Sequence, residues 1–517
     1  MLAHLVRACL ATSLLVQPLH ASVIPARRQS TSITFKSTGN PILADGSVYS
    51  ADPAPLVVND TLYIISGRDV SASWDNSFNM NQWQIFESKN PDPAGAEWTL
   101  HSDVVQPENV FSWARSGFAY ASQIVQGPDG KFYLYAPVQQ ASTSSSDPFA
   151  IGVAVSDSPI GPFKDAHPSG PIISQTVPAP GNDIQNIDPT VMVDTDGKVY
   201  IYFGTFGSLK GYELDKDMVT IKGEVVNVNS LTGFFEAPWL MKRDDTYYML
   251  YAANNAGEDS PCTPTSYHAC LAYGTAESPL GPWTFRGVFV DIVSSTTSHP
   301  GAYKLSNGEW GLTYHTRDAV GGTHFRRSVA IDKLTWDDSV KPAAINKVVQ
   351  TKRPAAAKEP TRNVAPKAVA SADKETPIQY WIKSINDERV EESPLPPDYW
   401  SSYNAEQSPQ TNTLTLTWEK AQELNGAAIA FFADQPAGAN VGVAPPASWK
   451  LEYKDGNTWK AVQASGSYPT EATDTPAEVK FSTISTTGLR AILTSSGSGQ
   501  FAGVAVKEFF AYAPNAA

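Results

Sequence analysis

One short pattern recurs five times in the first two thirds of the chain: a head residue, an apolar run, a turn rich in Asp, Asn and Gly, and an aromatic-rich strand. The copies read ADPAPLVVNDTLYIIS from Ala51, ASQIVQGPDGKFYLYA from Ala121, DPTVMVDTDGKVYIYFG from Asp188, EAPWLMKRDDTYYMLYA from Glu236 and HPGAYKLSNGEWGLTYH from His299. Two half-buried strands joined across a tight turn make a β-hairpin. A spacing of roughly 50–70 residues between copies matches one four-stranded propeller blade with its loops. The expected fold is therefore all-β, a five-bladed β-propeller in which each head residue starts an innermost strand.

That register turns a repeat into a site. Counting back twelve residues from Tyr200, Tyr248 and Gly311 reaches Asp188, Glu236 and His299, and eleven from Tyr63 reaches Asp52. Equivalent positions at the start of the innermost strands face one axis, so Asp52, Asp188, Glu236 and His299 are expected to converge in one pocket. Ala121 interrupts the polar wall in the second copy.

At 517 residues the chain exceeds one ordinary core and implies two domains. A formal charge of −14 argues against nucleic acid, whose phosphates demand a basic surface, and favours a neutral or weakly charged ligand. Arg7, the apolar stretch from Ala8 to Val16 and the small-residue exit at Ala21 read as a secretory signal over residues 1–21, too short to stay in a membrane. No later segment is apolar and long enough to span, so a secreted, extracellular protein is expected, with no membrane partner. Once Cys9 leaves with the signal, Cys262 and Cys270 remain, close together in a Pro/Ser/Thr-rich loop, and an oxidising compartment predicts a disulfide between them. Asn59-Asp60-Thr61 is a glycosylation sequon placed in a turn.

A second repeat, VSDSPIGPFKDA from Val155 and AESPLGPWTFRG from Ala276, predicts the same turn carrying the same aromatic in two blades. From about Lys341 to Lys374 the composition becomes Ala/Pro/Lys-rich, which reads as an interdomain connection. Beyond it Thr413–Trp418, Ala427–Phe432, Ser448–Val462, Leu489–Ser495 and Val506–Ala513 read as separate strands of a β-sandwich. The expected boundaries are a propeller over 32–345, a linker over 346–361 and a jelly-roll-like sandwich over 362–514.

With ADPAP, NIDPTV, FFEAPW and SHPG in place and in order, residues 32–345 resemble glycoside hydrolase family 43, five-bladed propellers acting on arabinose- and xylose-containing polysaccharides. The tail resembles galactose-binding-like sandwiches more loosely, by strand pattern alone. The propeller resemblance implies Asp52 as general base, Asp188 as the residue that tunes pKa and orients substrate, and Glu236 as general acid. Acetal cleavage needs one protonated carboxyl for the leaving oxygen and one carboxylate to activate water on the opposite face. A third negative charge close by is expected to keep the acid protonated.

The same resemblance makes His299 an axial histidine beside a possible structural calcium, with no cofactor required for the chemistry. It also places a substrate-binding arginine in the last blade, Arg326 first and Arg317 second. Trp74, Trp113 and Phe235 suit stacking on a sugar ring, although VFSWARSGFAYASQIV departs from the family's usual Trp-Ala-Pro-Asp. The resemblance thus implies an exo-acting, inverting glycosidase taking terminal β-D-xylosyl or α-L-arabinofuranosyl units from plant cell-wall polysaccharide, with the two sugars left unranked. A fructan-cleaving propeller is disfavoured because its expected Arg-Asp-Pro and Glu-Cys motifs are Ile187-Asp188-Pro189 and Glu236-Ala237 here. A non-catalytic binding propeller is disfavoured by the three acids. In the tail, Tyr399, Trp400 and Tyr403 are expected to pack the sandwich on the propeller rather than to stack on polysaccharide.

Overall fold

A computed structural model describes residues 32–515 apart from 76, 254–259, 263–268, 295–296, 354–360, 378, 391–397 and 439–440. The signal expected over 1–21 lies outside the described residues. The chain forms a five-bladed β-propeller followed by a separate β-sandwich. Four blades start from an innermost strand and run outward as antiparallel meanders. They begin with Ala51–Val58, Gln123–Gln126, Thr190–Val193 and Glu236–Arg243, and the fifth, beginning with Gly301–Lys304, has three strands.

The short fifth blade explains how the ring closes. Asn40 acts as a surrogate strand partner: its amide nitrogen donates to the Ile331 carbonyl at 2.8 Å while its oxygen accepts from the Ile331 N–H at 2.9 Å. Ile42 N–H donates to Val329 O at 2.9 Å and Ser50 N–H to Arg327 O at 2.7 Å, so the segment leading into blade one covers the open edge of blade five. On the inner side Gly301 lets the two blades touch, since a Cβ there would stand 2.4 Å from Pro55 Cδ. Edge pairing of this kind removes the exposed strand edges an open sheet would leave.

Blade cores follow the alternation read from the sequence, with Tyr202, Tyr248, Tyr251 and Tyr314 fully buried between sheets. The Ser-Pro-x-Gly-Pro repeats form matching turns: Gly161 and Gly281 both have φ +84°, and Phe163 and Trp283 are both buried. Cys262 and Cys270 are joined in a disulfide, and Asn59 is exposed in the turn between Ala51–Val58 and Thr61–Asp69.

The sandwich differs from the expectation in one respect. The segments read as two strands, Thr413–Trp418 and Ala427–Phe432, belong to a single 22-residue strand, Thr411–Phe432. It bends where its register with Val479–Thr494 slips between Thr417 and Gln422, pairing first with Val369–Ala372 and later with Ala505–Tyr512. Leu414, Leu416 and Trp418 alternate inward onto Leu451, Leu489 and Phe509. The composition-based linker is also too long. Residues 346–353 are hydrogen-bonded along the propeller, with Val348 N–H on Phe289 O at 2.8 Å and Asn40 N–H on Thr351 O at 2.8 Å. Residue 361 onward enters the sandwich, where Val364 N–H reaches Ala511 O at 2.8 Å. An Ala/Pro/Lys-rich stretch needs no special composition to run along a surface if its backbone groups find partners.

The contact between the two domains is ionic. Arg317 of the propeller pairs with Asp398 at 2.6 Å, both side chains 4% exposed, and Arg389 donates to the Arg317 carbonyl at 3.0 Å. Around them burial, reinforced by neighbouring carboxylates, pushes Asp387 up to about 7 and Glu508 up to about 9. Tyr399, Trp400 and Tyr403 take no part in this seam: Tyr399 stacks on Phe432, Trp400 lies in the sandwich core and Tyr403 faces Phe501. Arg317→Ala leaves the Asp398 charge buried without its ion partner, and the expected loss is about 3–5 kcal/mol in urea unfolding. A loss below ~1 kcal/mol would show the pair to be dispensable.

Candidate active site

Where the innermost strands meet, a cavity of about 70 Å³ is lined by Asp52, Asp188, Glu236 and His299, each from a different blade, with Ala121 from the remaining one. The convergence matches the register argument, but the four polar heads are not all equivalent. Strand pairing puts Asp52 four residues before Leu56, Ala121 four before Val125, Asp188 four before Met192 and His299 four before Tyr303, each the partner of the counted second-strand residue. In blade four that position is Ala237, four before Met241, and Glu236 precedes it. Counting through the hairpin hides the offset, because eight residues separate Met192 from Tyr200 but seven separate Met241 from Tyr248.

The backbone records the same alignment. Asp52, Asp188 and Ala237 have φ of +55°, +57° and +57°, and each precedes a proline. A non-glycine residue held there costs about 1–3 kcal/mol, a strain characteristic of functional sites. The kink swings Asp52 and Asp188 off the strand line and into the cavity.

Arg327 forms the floor. Its Nε and one terminal nitrogen grip the two oxygens of Asp69, each at 3.0 Å, while the other terminal nitrogen holds Asp52 Oδ1 at 3.0 Å. Burial alone disfavours the ionised form of Asp52, but the Arg327 charge overrides it and holds the carboxyl well below the usual carboxylate range. His315 Nδ1 lies 3.1 Å from the Asp52 N–H and its Nε2 3.0 Å from Thr297 Oγ1. With Nδ1 accepting, the proton sits on Nε2. Burial lowers both imidazoles, His299 to about 4, which leaves His299 neutral in ordinary buffers.

Asp188 and Glu236 behave in the opposite sense. Glu236 is pushed up to about 7, first by burial and then by the Asp52 charge, against the lowering effect of Thr205, whose hydroxyl donates to Oε2 at 3.0 Å. Burial followed by the charge of Glu236 raises Asp188 well above the carboxylate range, although the Ala237 N–H donates to its Oδ2 at 3.0 Å. Two buried carboxyls so linked titrate as a pair that retains a proton near neutral pH. Thr205 is delivered by Gly204, φ +134°, where a Cβ would meet Ser208 O at 2.0 Å.

The other residues singled out by sequence are placed elsewhere. Arg326 turns away and lies over the Tyr49 ring at 5.3 Å, and Arg317 binds Asp398, so the arginine of the cavity is neither but Arg327. Adjacent residues of an extended segment point to opposite faces, and the pair in FRRSV carries no parity signal. Trp113 is half-buried and packs on the core residue Phe111, and Trp74 is 64% exposed. Phe235 meets Phe206 at 5.6 Å beside Glu236 without lining the cavity. The aromatic walls are Phe78 and Tyr120 instead. Sequence reasoning also misses Asp69 and His315, at or near the ends of the second hairpin strands Thr61–Asp69 and Trp310–Thr316. A polar residue where an apolar strand ends toward the axis is their only sequence signal.

Calcium fits poorly around His299. Its Nδ1 lies 3.9 Å from Asp52 Oδ1, an oxygen already held by Arg327, and a buried guanidinium in the same cluster opposes a second cation. Calcium takes six to eight oxygens. Among the described residues no group of three His, Cys, Asp or Glu is arranged to hold a metal.

The raised carboxyls carry a stability consequence. A carboxyl whose folded pKa exceeds its unfolded value favours folding at low pH and loses that contribution as pH rises through the folded value. Glu236→Gln should therefore raise the thermal midpoint by about 2–4 °C at pH 8 and little at pH 4, read by calorimetry at both. An equal shift at both pH values would mean that the Glu236 charge is not the cause.

Residues 38–341 match the family described as Glycosyl hydrolases family 43. A xylosidase/arabinosidase of Bacteroides ovatus is 29% identical over 333 residues, covering 56% of this chain and 92% of that one. An arabinoxylan arabinofuranohydrolase of Bacillus subtilis is 28% identical over 349 residues, covering 57% of this chain and 62% of its own. Among solved structures, a GH43 β-xylosidase/α-arabinofuranosidase from a compost metagenome, crystallised with xylotriose, shares 25% identity and a TM-score of 0.50 over 61% of this chain and 98% of that one. Blade count, the order of the three acid motifs and these matches agree: the chain is a glycoside hydrolase and belongs to family 43.

Proposed function

We propose that this chain is a secreted, exo-acting, inverting glycosidase that releases terminal β-D-xylosyl or α-L-arabinofuranosyl units from arabinoxylan-type hemicellulose and its oligosaccharides. The observation that carries the reading is the pairing of two buried carboxyls in one small cavity, Asp52 bonded to the Arg327 guanidinium and Glu236 to the Thr205 hydroxyl, with the first held low by the cation and the second pushed up to about 7 by burial. Inverting hydrolysis needs that asymmetry. Asp52 takes a proton from water as the oxygen attacks the anomeric carbon, and Glu236 gives its proton to the departing glycosidic oxygen. Asp188, raised well above the carboxylate range and bound to the backbone N–H beside Glu236, orients the acid and adds to the negative field that keeps it protonated. Arg327 keeps the base ionised at the pH where the acid is protonated.

A cavity of about 70 Å³ has no room for a run of sugars, which supports exo action. The xylose and arabinose activities in the names of the relatives support a pentosyl substrate. Secretion is supported by the N-terminal apolar stretch and by the Cys262–Cys270 disulfide, which belongs in an oxidising compartment. No catalytic cofactor is needed by this chemistry.

The test is hydrolysis of aryl β-D-xylosides and α-L-arabinofuranosides and of arabinoxylan, with the product anomer followed by proton NMR. Inversion is expected, and Asp52→Asn and Glu236→Gln should each lower kcat by about 10²–10⁴ without unfolding the protein. A retained anomer, or near-normal turnover by either variant, would overturn the assignment.

The pH profile offers a separate check. Thr205 stabilises the ionised form of Glu236, so Thr205→Val should raise the acid's pKa and move the alkaline limb of kcat/KM upward by up to about one unit. A limb that stays put or moves down would remove Glu236 as the group that sets it.

A further inference from the structure

One loop of the propeller touches both the catalytic cavity and the sandwich. Residues 317–327 join the last two propeller strands, Trp310–Thr316 and Ser328–Leu334, whose last rung before the loop pairs Thr316 with Ser328. Arg317 and Arg327 therefore stand side by side just beyond that rung. Arg327 reaches into the catalytic cavity, whereas Arg317 pairs with Asp398 of the sandwich.

Contacts from the sandwich concentrate on the first two residues of this loop. Asp398 meets the Arg317 guanidinium at 2.6 Å, Arg389 donates to the Arg317 carbonyl at 3.0 Å, and a second Arg389 nitrogen lies 3.8 Å from the Asp318 carboxylate. Two residues before Arg317, His315 receives the Asp52 N–H, and the Arg317 N–H itself donates to Ser294 Oγ at 3.1 Å. Later in the loop, His324 and Phe325 pack on Phe78, a wall of the catalytic cavity, at 5.3 and 4.7 Å. The loop ends on Arg327, the cation that holds Asp52.

The Arg317 and Asp398 side chains are both 4% exposed. A buried ion pair adds little stability over an apolar contact of the same volume, so what it supplies is fixed geometry, kept by the cost of separating the charges. Asp52 depends on such geometry, being held in left-handed backbone with its carboxylate on Arg327 through one hydrogen bond. A misplacement of about 1 Å in a catalytic arrangement can cost about 10²-fold in rate, even when its origin lies far from the reacting atoms.

We propose that Asp398 is a positioning residue for hydrolysis: through Arg317 the sandwich fixes the loop that ends on Arg327, and so the placement of Asp52 in the cavity. The inference rests on the hydrolytic reading and deepens it, giving the second domain a part in the reaction that requires no ligand on that domain.

The test measures full-length variants on whichever aryl β-D-xyloside or α-L-arabinofuranoside the unsubstituted chain turns over, at a temperature where circular dichroism shows each protein folded. Asp398→Asn is expected to lower kcat at least about tenfold with KM changed less than about threefold. It should also move the acid limb of kcat/KM upward, because a loosened Arg327 holds the Asp52 carboxylate less firmly. Arg317→Gln should act alike, and the double variant no worse than either, since both changes break one link. Arg389→Gln removes a separate, half-buried link and should shift kcat and the acid limb in the same direction, which keeps the test valid if Asp398→Asn fails to fold. Glu452→Gln breaks an ion pair with Arg490 within the sandwich and should leave both readouts unchanged. An unchanged kcat and pH profile in the folded Asp398→Asn or Arg389→Gln protein, whatever its melting temperature, would overturn the proposal, as would an equal loss in Glu452→Gln. Failure of the hydrolytic reading would appear elsewhere, as absent turnover by the unsubstituted chain.

Discussion

The guanidinium of Arg327, carried by blade five, holds two carboxylates of blade one, Asp69 through two hydrogen bonds and Asp52 through one. Taking three charged groups out of water is costly, and only mutual pairing in good geometry makes it tolerable. The pairing requires blades five and one to be adjacent in a fixed register. The Asn40 amide on Ile331 and the Ser50 N–H on the Arg327 carbonyl supply that register. Ring closure and the charge state of the cavity are therefore one problem with one solution. A propeller that closed a residue out of step would leave a buried cation facing the wrong strand.

From this cation the rest of the electrostatics derives. Asp52 touches Arg327 and is held ionised, whereas Glu236, buried and feeling Asp52 as a like charge, is pushed up to about 7. One cavity thus holds a base and an acid of the same chemical type, separated by which of them reaches the guanidinium. The arrangement works against stability, since it combines buried like charges with left-handed backbone at Asp52, Asp188 and Ala237. Such costs persist only where the surrounding structure over-determines them, and here five blades do.

Most of this architecture is legible in the sequence because turn chemistry and period-two alternation are local. The hairpin turns are marked by residues such as Asn59-Asp60 and Asp196-Gly197, and the aromatic strands after them by their composition, so blade count and the three acids can be read without long-range information. What fails depends on one-residue distinctions. Arg326 and Arg327 fit the same segment equally well, and only the pleat separates them. Trp113 is as aromatic as Phe78, yet it fills the space over Gly152, where a Cβ would come within 2.9 Å of the indole. In the tail, two apolar runs joined by charged residues look like two strands, while the sheet lets a single strand bend through them. Composition overstates the linker because it reports solvation and not backbone pairing, and the hydrogen bonds of residues 346–353 to the propeller leave no compositional trace.

The offset of Glu236 from the common register shows why a small irregularity matters. Were the acid at the Ala237 position, its backbone would take the left-handed kink that Asp52 and Asp188 have, and its N–H could no longer be the donor that anchors Asp188 from the residue beyond the acid. With Glu236 one residue earlier, the kinked Ala237 turns its N–H onto Asp188 Oδ2 at 3.0 Å while the glutamate meets Thr205 on another side. The two carboxyls are thereby tied through one peptide group, each raised by burial and each with a hydrogen-bond donor of its own. A repeat fold supplies equivalent positions, and here the departure from equivalence makes neighbouring acids unlike one another.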